Sequence, residues 1–523
     1  MDTRIVINPR AITAKPIHPK YLGAAGIHRV PLWRVGAFAL NNTATNLYLI
    51  MMGYIAYFMI GFVGVATVFA SSFSMAMRIW DGVTDPVIGY LIDKTNTKFG
   101  KSRPFMMLGN IVLAVTSFLM FFITPIIPAG IPRIAFFILI NAFYYIGYTF
   151  QTVVTKAAQP CLTNDPKQRP LFSVFDGIYN TALFAGSTLF ISAYLVPKYG
   201  SFYEAGLFRE LWFFIAIVSA LFTLSAVIAI APKDRTEFFG TGEPVKVNFR
   251  DYWDIIKNNR AIQMLVLAAS TDKLGAIART STVMIVLYGI VVGNYALLGD
   301  FSIYTSVGTV VFLIIGIGGI ATRLGQRKAM IIGSVGALAA NALLVLLWLF
   351  GEPRTFNLPG FDGYAGITFF TVALIALSVT AGGFQSIAGN IVIPMTADCA
   401  DYETYRSGRY VPGLMGTLFS FVDKLISSFA PLIAGVVYAG IGFAQALPDV
   451  TTQYNDTLLY ASLFLAYGMI SVGLIMNLVG MRFYPLTKEK MEEIQVEIAA
   501  IKERVMLERE ADEALVEQEI GAP

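Results

Sequence analysis

The chain has 523 residues, of which 56% are hydrophobic and only 14% are charged, with a formal net charge of +4. Soluble proteins carry about 25% charged residues, and a single soluble core rarely grows beyond about 300 residues. The apolar excess excludes an ordinary soluble fold, and long apolar windows such as 207–229 and 458–479 predict a polytopic membrane protein.

Composition excludes several other classes of protein. The small positive charge is spread over loops, so we expect no nucleic-acid partner. The two cysteines, Cys161 and Cys399, are too few for a disulfide framework or a four-cysteine zinc site. Both histidines, His18 and His28, precede the first apolar segment, which excludes a histidine proton relay in the membrane. Catalytic motifs such as Gly-x-Ser-x-Gly are absent, so we expect neither an enzyme nor a cofactor.

Twelve apolar windows predict membrane-spanning helices in chain order. They lie near residues 33–60, 65–92, 103–124, 132–157, 172–196, 207–231, 261–291, 300–322, 328–350, 366–395, 411–440 and 457–483. The domains that follow are a cytoplasmic N-terminal arm (1–32), a six-helix bundle (33–231), a cytoplasmic linker (232–260), a second six-helix bundle (261–483) and a cytoplasmic helical tail (484–523).

Lysine and arginine predict the orientation of these spans. They concentrate in both termini and in the loops after the even-numbered spans, whereas the opposite loops hold mainly Arg133, Lys198 and Arg354. Because cytoplasmic loops carry the excess of positive charge, both termini are predicted to be cytoplasmic. We expect a multi-pass protein of the plasma (inner) membrane, with the lipid bilayer as its surroundings, that functions as a monomer.

A local repeat supports two homologous halves. Gly89–Asp93 leads to Gly100–Arg103 between spans 2 and 3, and Gly319–Arg323 leads to Gly325–Lys328 between spans 8 and 9. Six spans, a basic linker and six more spans predict an all-α membrane protein with two pseudo-symmetric six-helix bundles, the major facilitator fold. In that fold the substrate site lies between the halves near the bilayer midplane.

Span 2 carries charges that are expensive inside a membrane. Arg78, Asp81 and Asp85 are separated by three and four residues, so they lie on one face of a helix. Two neighbouring carboxylates in a dry site share a proton, bind a metal ion or pair with a positive side chain. This pattern indicates a coupling-ion site; a buried Arg–Asp bridge that holds helices together is the alternative.

Other spans contain further ionisable residues. Span 11 contains Lys424, which must find a carboxylate or shift its pKa. Span 7 carries Lys273 and Arg279 next to Asp272, and span 5 begins near Asp176. For the span 5 and span 7 residues, local ion pairs or positions at the membrane interface are at least as good an interpretation.

The span 2 motif, Arg78–Asp93, followed by Gly100–Pro104, resembles the signature of the glycoside–pentoside–hexuronide:cation symporters, the melibiose permease-like branch of the major facilitator superfamily. The resemblance runs from about Trp33 to Ile494. Further matching segments are Asp398–Glu403, Gly408–Arg409, Phe419–Lys424 and Phe483–Thr487.

The resemblance implies a complete cation site and an altered sugar site. It implies that Asp81 and Asp85, which would be the ligands of Na⁺ in a sodium-coupled carrier, act with Thr149 and Lys424. At the positions where the family's galactoside carrier has sugar-binding side chains, this chain has other residues. We expect the substrate pocket to contain Asn41, Tyr48, Thr152, Lys156, Asp176, Lys273 and Arg279.

Together these features predict a secondary active transporter that couples Na⁺ or H⁺ to the symport of a saccharide by alternating access. The resemblance places Asn41 and Thr152 where the family's galactoside carrier has sugar-binding aspartates. Together with Lys156 these changes favour an acidic sugar, although Asp176 argues against it. The alternatives are a lysolipid carrier of the same superfamily and a membrane receptor or scaffold that does not transport. A cytoplasmic charge network is predicted to hold the outward-facing state; its candidates are Asp93, Arg103, Arg169, Asp398, Asp401 and Arg409.

Overall fold

The computed structural model describes residues 29–95, 97–163, 168–235, 257–316, 322–358, 367–407 and 412–497. Its main helices are α1 (Leu32–Met52), α2 (Thr67–Lys94), α3 (Arg103–Ile126), α4 (Ile131–Ala157), α5 (Arg169–Leu189), α6 (Ala205–Ile230), α7 (Arg260–Ala278), α8 (Leu297–Gly316), α9 (Gln326–Phe350), α10 (Phe369–Asn390), α11 (Pro412–Ser427) and α12 (Asp456–Phe483). They confirm the predicted all-α membrane fold.

Several spans are broken rather than straight. The segment Ile55–Val63 continues α1 after a bend of 44°, and Ser281–Val291 continues α7 after a break at Arg279 and Thr280. Helices Val392–Ser407 and Phe429–Gly440 continue α10 and α11. Such breaks need internal partners for the freed backbone groups, so they occur where neighbouring helices shield them from lipid.

By length and composition, nine of the described helices could each cross a membrane, or ten if α1 and Ile55–Val63 count as one span. Helix α2 is not among them, although it has 28 residues, because its second half is polar. Its Asp81 is only 7% exposed and therefore lies against protein, as the polar sequence of span 2 predicts.

Pairs of packed helices in the first half recur in the second half when six is added to each helix number. In the first half α1 packs against α5 and α6, α2 against α4, and α3 against α4. In the second half α7 packs against α11 and α12, and α9 against α10. Glycines allow the close approach: a Cβ on Gly147 of α4 would lie 3.2 Å from the carbonyl oxygen of Gly109 on α3. The matching pairs are the structural counterpart of the repeat seen in the sequence.

The described residues form two compact units. One contains the described residues within 1–245, 280–303 and 431–462, and the other contains those within 246–279, 304–430 and 463–523. The predicted bundle boundaries at 231 and 261 stay a prediction.

Part of the predicted C-terminal helix is described. Residues 488–497 are helical, and Ile494 on this segment is fully buried in the core of the second unit. The segment therefore packs against the membrane domain through an apolar face. The arm (1–28), most of the linker (236–256) and the tail after 497 lie outside the described residues.

Candidate functional site

Asp81 of α2 lies in a hydroxyl-lined site against α4. Thr149 is fully buried and donates a 3.0 Å hydrogen bond to Asp81 Oδ1, and the hydroxyls of Thr84 and Thr149 are 3.0 Å apart. Helical spacing places Thr84 one turn after Asp81 on the same face. The structure thus brings together the predicted cation residues Asp81 and Thr149 and adds Thr84, which the sequence analysis did not single out.

Asp85 and Arg78 extend this site along α2. Both are half-buried, one turn after and one turn before Asp81. Pro86 follows Asp85 inside the helix and has no N–H group, so the carbonyl oxygen of Gly82 lacks its usual helical donor. Carboxylate, hydroxyl and carbonyl oxygens are the ligands that hard cations prefer, and the same carboxylates can hold a proton. The residues present fit either coupling ion.

Two of the predicted substrate residues are fully buried between helices. Asn41 on α1 donates a 2.7 Å hydrogen bond to Thr155 on α4, which joins the two helices. Tyr48 lies edge-on to Tyr144, with ring centroids 6.4 Å apart. Both side chains are enclosed by neighbouring helices, and their role in substrate binding stays a prediction.

The other predicted substrate residues of the first half are more accessible. Asp176 on α5 is half-buried and accepts a 2.7 Å hydrogen bond from Asn42 on α1. Thr152 is half-buried and donates to the carbonyl of Thr149, while Lys156, one turn further along α4, is exposed. The role of Lys156 in substrate binding stays a prediction.

In the second half, Lys273 of α7 forms an ion pair with Asp423 of α11. This is the local pairing that the sequence analysis kept as an alternative. The guanidinium of Arg279 lies over the ring of Tyr467, 5.7 Å from its centroid. Lys424 is half-buried in the last turn of α11, next in the chain to the buried Asp423.

Two residues that the sequence analysis did not assign to the substrate pocket line a cavity in the second half. Asp272 is 8% exposed, and its carboxyl group faces the amide groups of Gln385 and Asn477. The sequence analysis named Asp272 among the ionisable residues of span 7 and gave it no role in a site. Gln385 carries no signal in the sequence, because a lone glutamine in a span has no charge.

The carboxylate of Asp234 accepts hydrogen bonds from the backbone of the loop between α2 and α3. Asp234 is buried after α6 and accepts hydrogen bonds from the backbone N–H groups of Lys101, Ser102 and Arg103 at 2.9–3.0 Å. An anion at a helix N-terminus is stabilised by the helix dipole, and Gly100, with φ +100°, leaves the space that this carboxylate fills. Arg103 Nε lies 3.4 Å from the same carboxylate.

The described members of the predicted cytoplasmic network each have a partner in their own half. Arg103 contacts Asp234, Asp398 contacts Gln326, and Asp401 accepts a 2.6 Å hydrogen bond from Gln495. The backbones of Asp93 and Arg169 are helical, but their side chains lie outside the described residues, as does Arg409. The network stays a prediction.

Residues 443–449 contact the segment after α1, the start of α2 and residues 201–202. We call this region the distal end. Tyr57 donates a 2.6 Å hydrogen bond to the carbonyl of Pro448, and the backbone N–H and hydroxyl of Thr67 donate to the carbonyls of Ala444 and Phe443. The Asp449 carboxylate accepts hydrogen bonds from Ser201 Oγ at 2.5 Å and from the backbone N–H of Phe202 at 3.4 Å.

Comparison with known proteins agrees with this architecture. A family profile described as MFS/sugar transport protein matches residues 37–488. The chain belongs to this family.

Relatives of this family member include transporters named for saccharides. The chain is 22% identical over 480 residues to the glucuronide carrier protein homolog of Escherichia coli (strain K12), covering 89% of this chain and 95% of the relative. It is 24% identical over 452 residues to the isoprimeverose transporter of Lactiplantibacillus pentosus, covering 82% and 87%.

Solved structures agree with the fold of the family. The nucleoside transporter NupG superposes with a TM-score of 0.56 at 14% identity, covering 88% of this chain and all of NupG. A bacterial homologue of the iron transporter ferroportin in an outward-facing state gives a TM-score of 0.54 at 12% identity, covering 87% and 99%. The family member therefore has the major facilitator fold of multi-pass membrane transporters.

Proposed function

We propose that this protein is a secondary active transporter, not an enzyme, that couples Na⁺ or H⁺ to the symport of a saccharide. The observation that carries the proposal is the buried carboxylate of Asp81, with the Thr149 hydroxyl on one oxygen and Asp85 one turn away. A membrane-buried carboxylate costs free energy unless it serves a cation, a proton or an ion pair. The names of the relatives support a sugar as the cargo.

The coupling step follows from charge. A cation or proton bound at the α2 carboxylates removes negative charge from the site, and the loaded and empty forms can favour different conformations. When no cation is bound, the proposed role of Lys424 is to balance the negative charge of the α2 carboxylates.

The test is transport by purified protein in proteoliposomes. Wild type should accumulate a saccharide against its gradient when a Na⁺ or H⁺ gradient is imposed. Asp81→Asn and Asp85→Asn should lose this accumulation and keep downhill exchange. Asp456→Asn, which removes an exposed carboxylate on α12, is the matched control. Full concentrative uptake by Asp85→Asn would refute the proposed role of that residue.

A finer proposal concerns the class of sugar. Lys156 is exposed on α4 one turn after Thr152, where its ammonium could form a charge-assisted hydrogen bond with a sugar carboxylate. Lys156→Gln should weaken binding of a β-glucuronide and leave binding of the matched β-glucoside unchanged. Equal effects on both sugars, or none, would contradict an acidic substrate.

A further inference from the structure

A cavity of about 460 Å³ opens in the second compact unit among α7, α8, α10 and α11. This volume lies within the range of about 300–1,000 Å³ that small-molecule sites occupy. Its polar lining side chains are Asp272, Lys273, Thr309, Gln385, Ser386 and Asp423.

Asp272 is the unusual member of this lining. Asp272 is only 8% exposed although it lines the cavity. Helix α12 holds it in place, because a Cβ on Gly473 would lie only 2.6 Å from the Cα of Asp272. The amide groups of Gln385 and Asn477 face its carboxyl group, and Asp272 and Gln385 both line the cavity, so they form a polar surface that a hydroxyl-bearing ligand in the cavity can approach.

The charges around the cavity define the kind of donor. Lys273 and Asp423 form an ion pair and largely neutralise each other, so Asp272 contributes the excess negative charge. A ligand carboxylate would be repelled here, whereas a hydroxyl would donate a charge-assisted hydrogen bond. Phe419 adds an apolar surface, and Gln385 and Thr309 offer both donors and acceptors.

We propose that this cavity binds the hydroxyl-bearing ring of the transported saccharide, with Asp272 as the acceptor of its hydroxyl hydrogens. This inference rests on the proposed function and names the residues of the second half that recognise the sugar. A carboxylate on the sugar, where present, lies outside this cavity.

The first test replaces the acceptor. Hydrogen bonds to charged groups contribute about 1.5–3 kcal/mol, so Asp272→Asn should weaken sugar binding about 10- to 100-fold. The probes are p-nitrophenyl β-glucoside and p-nitrophenyl β-glucuronide, and both should weaken alike. The concentration of Na⁺ or H⁺ that gives half-maximal uptake should not change. Asp456→Asn is again the control.

The second test fills the cavity without touching Asp272. Gly389 lines the cavity, and a Cβ built on it meets no atom within 4 Å. Gly389→Ala should therefore bind both probes normally, whereas Gly389→Phe should abolish binding with little change in thermal stability. If Asp272→Asn fails to fold, the comparison of Gly389→Ala with Gly389→Phe still tests whether the sugar occupies this cavity.

The outcomes separate this inference from the proposed function. No saturable uptake of either probe by wild type, with either cation, would refute saccharide symport for these sugars and the inference with it. Saturable uptake that neither Asp272→Asn nor Gly389→Phe alters would refute the inference alone.

A changed cation dependence in Asp272→Asn at unchanged sugar affinity would make Asp272 a cation site. Tighter glucuronide binding by Asp272→Asn would place the carboxylate in the cavity. Either result would overturn the proposed role.

Discussion

The contact between Asp449 and residues 201–202 should set how readily the distal end opens. Asp449 is 4% exposed, and its carboxylate accepts two hydrogen bonds from the loop after α5. Each hydrogen bond to a charged group contributes about 1.5–3 kcal/mol, and asparagine keeps one acceptor oxygen without the charge. We therefore expect Asp449→Asn to destabilise the closed distal end by about 1.5–3 kcal/mol, which raises the open population about 10- to 100-fold.

A cysteine at position 71 can report this opening. Ser71 is 6% exposed and packs against Gly435, where an added Cβ would lie 2.0 Å from Ser71 Oγ. The native Cys161 and Cys399 are buried, and burial, reinforced by Asp234, raises the pKa of Cys161 to about 12, so that neither should react quickly.

The measurement is the alkylation rate of the Ser71→Cys protein in detergent. Adding Asp449→Asn should increase this rate at least about tenfold, whereas adding the exposed Asp456→Asn should leave it unchanged. An unchanged rate in a folded Asp449→Asn variant would show that this carboxylate does not hold the end closed. The packing of Tyr54 on Phe202, whose rings stack at 5.2 Å, would then be the stronger contact.

Three further predictions concern other charged groups. Asp234→Asn removes the acceptor for three backbone N–H groups and should lower the free energy of unfolding by about 3 kcal/mol, seen as a lower melting temperature; an unchanged melting temperature would show that these hydrogen bonds are not stabilising. Lys424→Ala should alter the ion dependence of uptake and, where Lys424 pairs with a buried carboxylate, lower the free energy of unfolding by about 3–5 kcal/mol; normal values for both would exclude it as the counter-charge. Asp398→Asn combined with Asp401→Asn should shift crosslinking towards the inward-facing state, and an unchanged distribution would place the cytoplasmic lock elsewhere.

The sequence alone predicted the all-α membrane fold and the shared helix face of the charged residues in span 2. Apolar windows of span length predict helices because the bilayer leaves backbone polar groups no partner except the helix itself. The i, i+3 and i, i+4 relations place Arg78, Asp81 and Asp85 on one face of α2 whatever surrounds it. Thr149 was expected only through the family resemblance, and the structure places its hydroxyl on Asp81.

Only the tertiary structure decided which polar side chains serve packing and which face a cavity. Asn41 and Asp272 are both polar residues in apolar spans, yet Asn41 is tied to Thr155 whereas Asp272 lines an open cavity. Likewise, Asp234 and Asp449 lie in connections between spans and acquire partners far away in the chain. Spacing along one helix reports neighbours on that helix alone, and contacts between distant segments depend on how the helices pack.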